Sequence, residues 1–263
     1  MRPATPPVCA VVVALAAALA PAPARAEFAT TNIQLLEGWG FHDHLLGYDT
    51  TDGRMATYTL NHFSTWKYGD NFAFVDMYRG SFGSGIDATL YSEWHPRVFV
   101  NRLLGTKGNV LGAFRDLGAA FELNVGNGFY AYMAGVGGDL ALPIPGVVGL
   151  NVYYRHDSVQ FPGAPRLAIT NDTWQVSPFW TLPFRIGTVP FVFTGFVDVF
   201  RSTSGDRLDV MAQPELMVDV LAPFGGPKGT LHAGVEWYLH HYQLAGQNEL
   251  ASVPQALVQW TFH

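Results

Sequence analysis

Phe72, Phe74 and Asp76 alternate along residues 71–79. In an extended chain they share one face, so two rings and a carboxylate would look the same way. An aromatic face stacks on a planar base at roughly 1–3 kcal/mol, and a carboxylate accepts from sugar hydroxyls. Ring packing in a crowded interior accounts equally well for each ring taken alone. A second group is His62-Phe63-Ser64, which puts an imidazole and a hydroxyl on one face of an extended segment. A histidine next to a serine can serve as its general base. A third is His232, His240 and His241. Only the first two share a face, and eight residues of strand separate them by about 26 Å. That spacing is too wide for one coordination sphere, so no metal site is expected from them.

The largest group is acidic. Residues 208–220 read LDVMAQPELMVDV, with Asp209, Met211, Gln213, Glu215, Met217 and Asp219 on one face and only apolar side chains on the other. The same separation gives a polar set elsewhere: Glu37, Asp76, Glu93, His95, Arg97, Asn101, Asp116, Glu122, Asp139, Asn151, Arg155, Asp198, His232 and Glu236. Charges buried alone are prohibitively costly in a dry core, so these groups must be wet or paired. Arg97 and Arg155 are the natural partners for the acids. The only cysteine is Cys9, so thiol chemistry has no place in the rest of the chain. Gly135-Val-Gly-Gly138 lies in a strand pattern rather than between a strand and a helix, so it does not read as a phosphate loop. No catalytic residue, metal or cofactor is assigned.

What must position these groups is a set of strands. Twelve stretches alternate with period two: 33–42, 54–67, 71–79, 91–102, 116–125, 129–141, 147–156, 174–182, 190–200, 208–220, 230–240 and 254–262. Most reach ten residues, longer than the five or six usual in soluble sheets and long enough for a tilted membrane strand. Tyr68, Tyr78, Tyr91, Trp94, Tyr154, Trp174, Trp180, Trp237 and Trp260 lie towards strand ends, where transmembrane barrels carry aromatic girdles. Pro96, Pro178 and Pro214 fall on the apolar faces, each removing one ladder donor. The pattern predicts an all-β, up-and-down transmembrane barrel of about 12 strands, apolar outside and polar inside. A soluble barrel would need the reverse, and its outer face would hold too few charges.

Residues 1–26 stand apart. Arg2, the apolar run Val8–Ala20 and Ala24-Arg25-Ala26 read as a secretory signal peptide, leaving the barrel at 27–263. The formal charge is −6, and loss of Arg2 and Arg25 makes the exported chain more acidic. That argues against nucleic acid as a partner. Past the signal no apolar run approaches the length of a membrane helix.

Connections give a further test, because exported barrels have short periplasmic turns and longer outer loops. The segments 43–53, 80–90, 157–172 and 243–252 are expected as long outer loops, with 157–172 the longest. Tyr68-Gly69-Asp70-Asn71 and Pro143-Ile144-Pro145-Gly146 are short. Two connections break the alternation, the long 103–115 and the short Gly126-Asn127-Gly128.

Several segments resemble one family. Asn32-Ile-Gln-Leu-Leu36, Trp66-Lys-Tyr-Gly-Asp-Asn-Phe-Ala-Phe-Val-Asp76, Glu93-Trp-His-Pro-Arg-Val-Phe-Val-Asn-Arg-Leu103, Gly149-Leu-Asn-Val-Tyr-Tyr154 and Phe193-Thr-Gly-Phe-Val-Asp198 are similar to strands of the nucleoside-specific channel-forming outer-membrane proteins (Tsx-like and OmpK-like). The resemblance runs in order through the chain outside the loops. It implies a monomeric twelve-stranded barrel, folded by the barrel-assembly machinery, that passes nucleosides or similar small polar solutes. The chain departs from that pattern in ending Phe262-His263 rather than on an aromatic residue, and in its short loops.

The expected function is therefore an outer-membrane channel with an acidic, aromatic-lined lumen. Its solute-facing candidates are Phe72, Phe74, Asp76, Glu93, Arg97, Asp198, Asp209, Glu215, His232 and Glu236, and its partners are outer-membrane lipids and small polar solutes. The alternative is a closed structural or surface-receptor barrel whose inward charges lock the lumen. The spacing of His62 and Ser64 is similar to that of outer-membrane lipid A deacylases, but both fall towards the periplasmic side, away from the outer leaflet where those enzymes work.

Overall fold

A computed structural model describes residues 26–42, 50–82, 88–161, 164–201, 207–244 and 247–262. The signal-peptide expectation, apart from Ala26, and His263 lie outside them. In chain order the elements are β1 (Phe28–Trp39), β2 (Thr50–Trp66), β3 (Gly69–Phe82), β4 (Ala88–Phe99), α1 (Val100–Leu104), β5 (Phe114–Gly126), β6 (Phe129–Leu140), β7 (Val147–Phe161), β8 (Ala164–Ile186), β9 (Val189–Arg201), β10 (Leu208–Ala212), β11 (Glu215–Asp219), β12 (Leu231–Leu244) and β13 (Gln247–Phe262). Each strand pairs antiparallel with its sequence neighbours, except that β10 and β11 do not pair with each other and each pairs with both β9 and β12. β1 closes the ring on β13, from Thr31↔Phe262 to Gly38↔Gln255.

β10 and β11 are one crossing. Val197↔Ala212 above the break and Thr194↔Glu215 below it keep the same register on β9, and Val210↔His241 and Glu215↔Glu236 do so on β12. Only Gln213 and Pro214 drop out of the pairing, because proline has no N–H to give the ladder. The ladder also skips Pro96 between β4 and β5 and Pro178 between β8 and β9. The barrel therefore has twelve crossings, as the alternation predicts, and closure leaves no sheet edge to cap.

Two of the expected loops are strand instead. β7 and β8 stay paired through Asp157↔Asn171 and Ser158↔Thr170, and β12 and β13 through Gln243↔Asn248. These hairpin extensions mix polar side chains onto both faces, so the hydrophobic alternation that marks a strand is absent there. The segment 103–115 holds the end of α1, which Gly105 stops in the left-handed conformation at φ 65°, followed by an irregular turn. It lies at the end of the barrel that holds the start of β1 and the end of β13, the terminal end. The tight turn at Asn127-Gly128 lies at the opposite, far end.

Burial separates the two faces. Ile33, Leu35, Leu60, Val75, Met77, Val136, Val152, Leu216, Val235 and Val258 point outward and are exposed. Exposed rings band both rims: Trp39, Tyr130, Tyr132, Tyr154, Trp174 and Trp237 towards the far end, and Phe184, Trp260 and Phe262 towards the terminal end. Tyr78 and Tyr91 do not join them. Both turn inward, where their hydroxyls donate to Asp76 (2.8 Å) and Glu93 (2.5 Å), because their positions share the inward face with those acids.

Candidate functional site: the lumen

Along β1 the inward residues become more buried from the terminal end to the far end. On β1 the inward face starts at Phe28, 56% exposed, and reaches Leu36 at 4%. Between them lies a cavity of about 600 Å³. Its wall includes Phe72, Phe74, Asp76, Glu93, Arg97, Asp198, Glu215 and Glu236, which brings eight of the ten expected residues to one space. At the far end, Phe41, Met55, Tyr78, Phe82, Tyr238, Ala251 and Val253 pack into an apolar cluster inside the barrel.

The remaining two candidates sit elsewhere. Asp209 accepts the backbone N–H of Gln243 at 2.7 Å and fastens β10 to β12 near the far rim. His232 is buried on β12 opposite Asp219, beyond the cavity wall. Asp219 itself accepts the N–H groups of Leu221, Ala222 and Gly229 at 2.8–3.1 Å, so it shapes the turn between β11 and β12. Glu37 faces outward and pairs with Arg54, which overturns its expected place in the lumen. Its neighbours Leu35 and Trp39 show that odd positions of β1 face outward. The partner arginine lets the charge sit at the rim. Asn101 lies on α1, where its amide donates to the carbonyls of Gly108 and Arg115.

The inward arginines are neutralised on one wall. Arg97 makes two parallel bonds to Asp70, Nε to Oδ1 at 2.9 Å and Nη2 to Oδ2 at 2.6 Å, and a third from Nη1 to Asp139 at 3.0 Å. This forked geometry is what guanidinium provides and ammonium does not. The rings of Phe99 and Phe179 cover it at 4.9 Å each. Arg155 donates from Nε to Asp157 at 2.7 Å and from Nη1 to Gln175, and lies 4.1 Å from the Phe200 ring.

Beside them Glu93, His95 and Glu122 bring ligand-type atoms within 4.8 Å of one another. His95 Nε2 faces Glu93 at 2.7 Å and Nδ1 faces Glu122 at 3.3 Å, so both ring nitrogens have a carboxyl group against them. Phe72 lies against this histidine at 5.7 Å and against Phe74 at 5.9 Å, and Phe74 against Tyr91 at 6.0 Å. The two rings singled out in the sequence thus begin an aromatic strip along the cavity.

The opposite wall is built from acids and amides. Asp76 accepts from Thr59 at 2.6 Å and from Tyr78. Gln34 Nε2 reaches both oxygens of Glu215 at 3.0 and 3.2 Å and Gln259 Oε1 at 3.0 Å. Gln255 donates to Glu236 at 2.7 Å. Gln34, Thr59, Gln255 and Gln259 were not singled out by sequence reasoning. The signal was present in residues 254–262, where Gln255, Gln259 and Thr261 alternate with Pro254, Val258 and Trp260.

The chain matches no family model, and no curated protein matches its sequence. A twelve-stranded barrel with this lumen is compatible with an outer-membrane channel.

His62 and Ser64 do share a face, but it is the outer one near the terminal end. His62 Nδ1 is 2.9 Å from the Thr31 hydroxyl of β1.

Proposed function

We propose that this protein is a monomeric outer-membrane channel that admits nucleosides or similar small polar solutes from its terminal, periplasmic end into the lumen. The observation that carries the reading is the pairing of an exposed apolar outer face with a polar, ring-lined cavity of about 600 Å³. Lipid is the partner the outer face requires, since none of the described residues covers it. Inside, the strip of Phe72, Phe74 and Tyr91 beside Asp76 and Glu93 offers stacking faces next to hydroxyl acceptors. The resemblance of five segments to the nucleoside-channel family points to the same solute class. The barrel-assembly machinery is the expected partner in biogenesis.

Single-channel recording of the purified protein in planar bilayers tests this. Discrete conductance, reduced by added nucleoside, is expected. Phe72→Ala and Phe74→Ala should weaken that block by about tenfold each, given roughly 1–3 kcal/mol per stacked base. A protein that inserts and never conducts would instead favour the second reading, a closed structural or receptor barrel. The apolar cluster at the far end is what favours that alternative. A lipid hydrolase is the least supported reading, and Ser64→Ala is expected to leave unchanged any lipid turnover in the preparation.

A further inference from the structure

The two halves of the lumen are electrically unlike. Arg97, Arg155 and His95 all lie on β4–β7, each against its own carboxylate. Among the described residues, the inward positions of β1, β2, β3, β11, β12 and β13 carry no lysine or arginine. Yet that wall holds Asp76 and Glu236, both buried, and the half-buried Glu215, besides Asp70, which Arg97 holds, and Asp219, which the β11–β12 turn holds. Glu215 and Glu236 are direct cross-strand partners, a placement that brings side chains to about 5 Å. Asp76 lies at the same level, because its partner Thr59 pairs in register with Gln34, which bonds Glu215. The described donors to these carboxylates are neutral: Thr59, Tyr78, Gln34 and Gln255.

A second feature is independent of the charges. Gln255 is 3% exposed and lines the cavity, and its Oε1 has no hydrogen-bond partner among the described residues while its Nε2 is spent on Glu236. Exchanging the amide's two ends does not help, because it would turn an oxygen towards the carboxylate. A buried acceptor left without a donor is destabilising. This wall is therefore short of donors and of positive charge in the same place. An ammonium group supplies both, having three N–H donors, one charge and no acceptor. The neighbouring rings of Phe74 and Tyr78 complete the environment, since aromatic faces attract cations.

We propose that Asp76, Glu215, Glu236 and Gln255 form a receptor for the ammonium end of a small organic cation, whose apolar body lies along Phe74 and Tyr78. This narrows the solute class of the channel reading above and rests on it only for transport, not for binding. Anionic solutes, including phosphorylated ones, are excluded by the same wall.

Isothermal titration of the folded protein in detergent tests the binding directly, with 2-phenylethylamine as the cationic probe and 2-phenylethanol as its neutral counterpart. The amine is expected to bind at least about tenfold more tightly, as befits charge-assisted hydrogen bonds. Glu215→Gln with Glu236→Gln should bring the two probes to similar affinity. Gln255→Leu should weaken the amine alone, which keeps the test open if the double variant does not fold. Glu37→Gln removes an outward acid and should leave the preference intact. Equal binding of both probes by the unaltered protein would overturn the inference, and so would a preference that survives in the folded double variant. Bilayer recording separates the two readings. Amine preference without conductance defeats the channel and keeps the receptor, whereas conductance without preference does the reverse.

Discussion

Gln34 of β1 and Glu215 of β11 meet across the inside of the barrel, with one amide nitrogen 3.0 and 3.2 Å from the two carboxylate oxygens. Two strands, β12 and β13, separate them around the wall, so the contact braces the lumen rather than stitching neighbours. Gln34→Leu removes the donor and leaves Glu215 facing Glu236. A hydrogen bond to a charged group contributes about 1.5–3 kcal/mol, and a loss of that order is expected in urea unfolding followed by gel mobility. Gln34→Lys should recover the stability by supplying a cation, and should abolish the amine preference by occupying its place.

Arg97 has a different task. It holds Asp70 and Asp139 with three bonds under two rings, and it is buried. Arg97→Ala leaves two carboxylates without a counter-charge, a change expected to cost about 3–5 kcal/mol. Arg97→Lys should recover only part of it, since an ammonium cannot make the forked pair with Asp70. Lowered urea midpoints in the order wild type, Lys, Ala are the expected result, and equal midpoints for Lys and wild type would contradict the role given to the fork.

The strands were legible because a barrel with an apolar outer face and a polar interior writes that difference into alternate residues. Leu208, Val210, Leu216 and Val218 against Asp209, Glu215 and Asp219 is the plainest case. Where the two faces no longer differ, towards the far rim of the barrel, the writing stops, which is why the β7–β8 and β12–β13 hairpins read as loops. Facing failed where residue type was trusted over parity: Glu37 is charged but odd on β1, and Tyr78 and Tyr91 are rim-type residues on inward positions. The eight cavity residues followed from facing alone. Their partners did not, because Gln34 and Glu215 are 181 residues apart and meet through the stagger of the closed barrel, which no local pattern encodes.

Phe41 and Tyr238 pack at 5.6 Å between ring centroids within the far-end cluster. If that cluster limits the passage, removing a ring enlarges it. Phe41→Ala is expected to raise single-channel conductance while lowering stability by about 3 kcal/mol, the lower range for a buried phenylalanine. A variant that loses stability with unchanged conductance would show that the cluster packs the wall without narrowing the path.

Gly195 stands on β9 opposite the break between β10 and β11. Its φ is +145°, and a Cβ placed there would lie 2.5 Å from the Gln213 carbonyl oxygen and 2.8 Å from Pro214 Cα. Both contacts are with backbone, so no side chain can move aside. The break exists because Pro214 lacks an N–H, and the chain there presses inward on β9, where only a residue without Cβ fits. Gly195→Val should therefore reduce the refolded fraction, with strain of about 1–3 kcal/mol from the backbone conformation alone. Pro214→Ala in the same chain should relieve part of the loss, because an alanine at 214 regains its ladder donor and lets Gln213 and its neighbour settle into the sheet. The paired variant refolding no better than Gly195→Val would mean that the close approach is set by the curvature of β9, not by the proline.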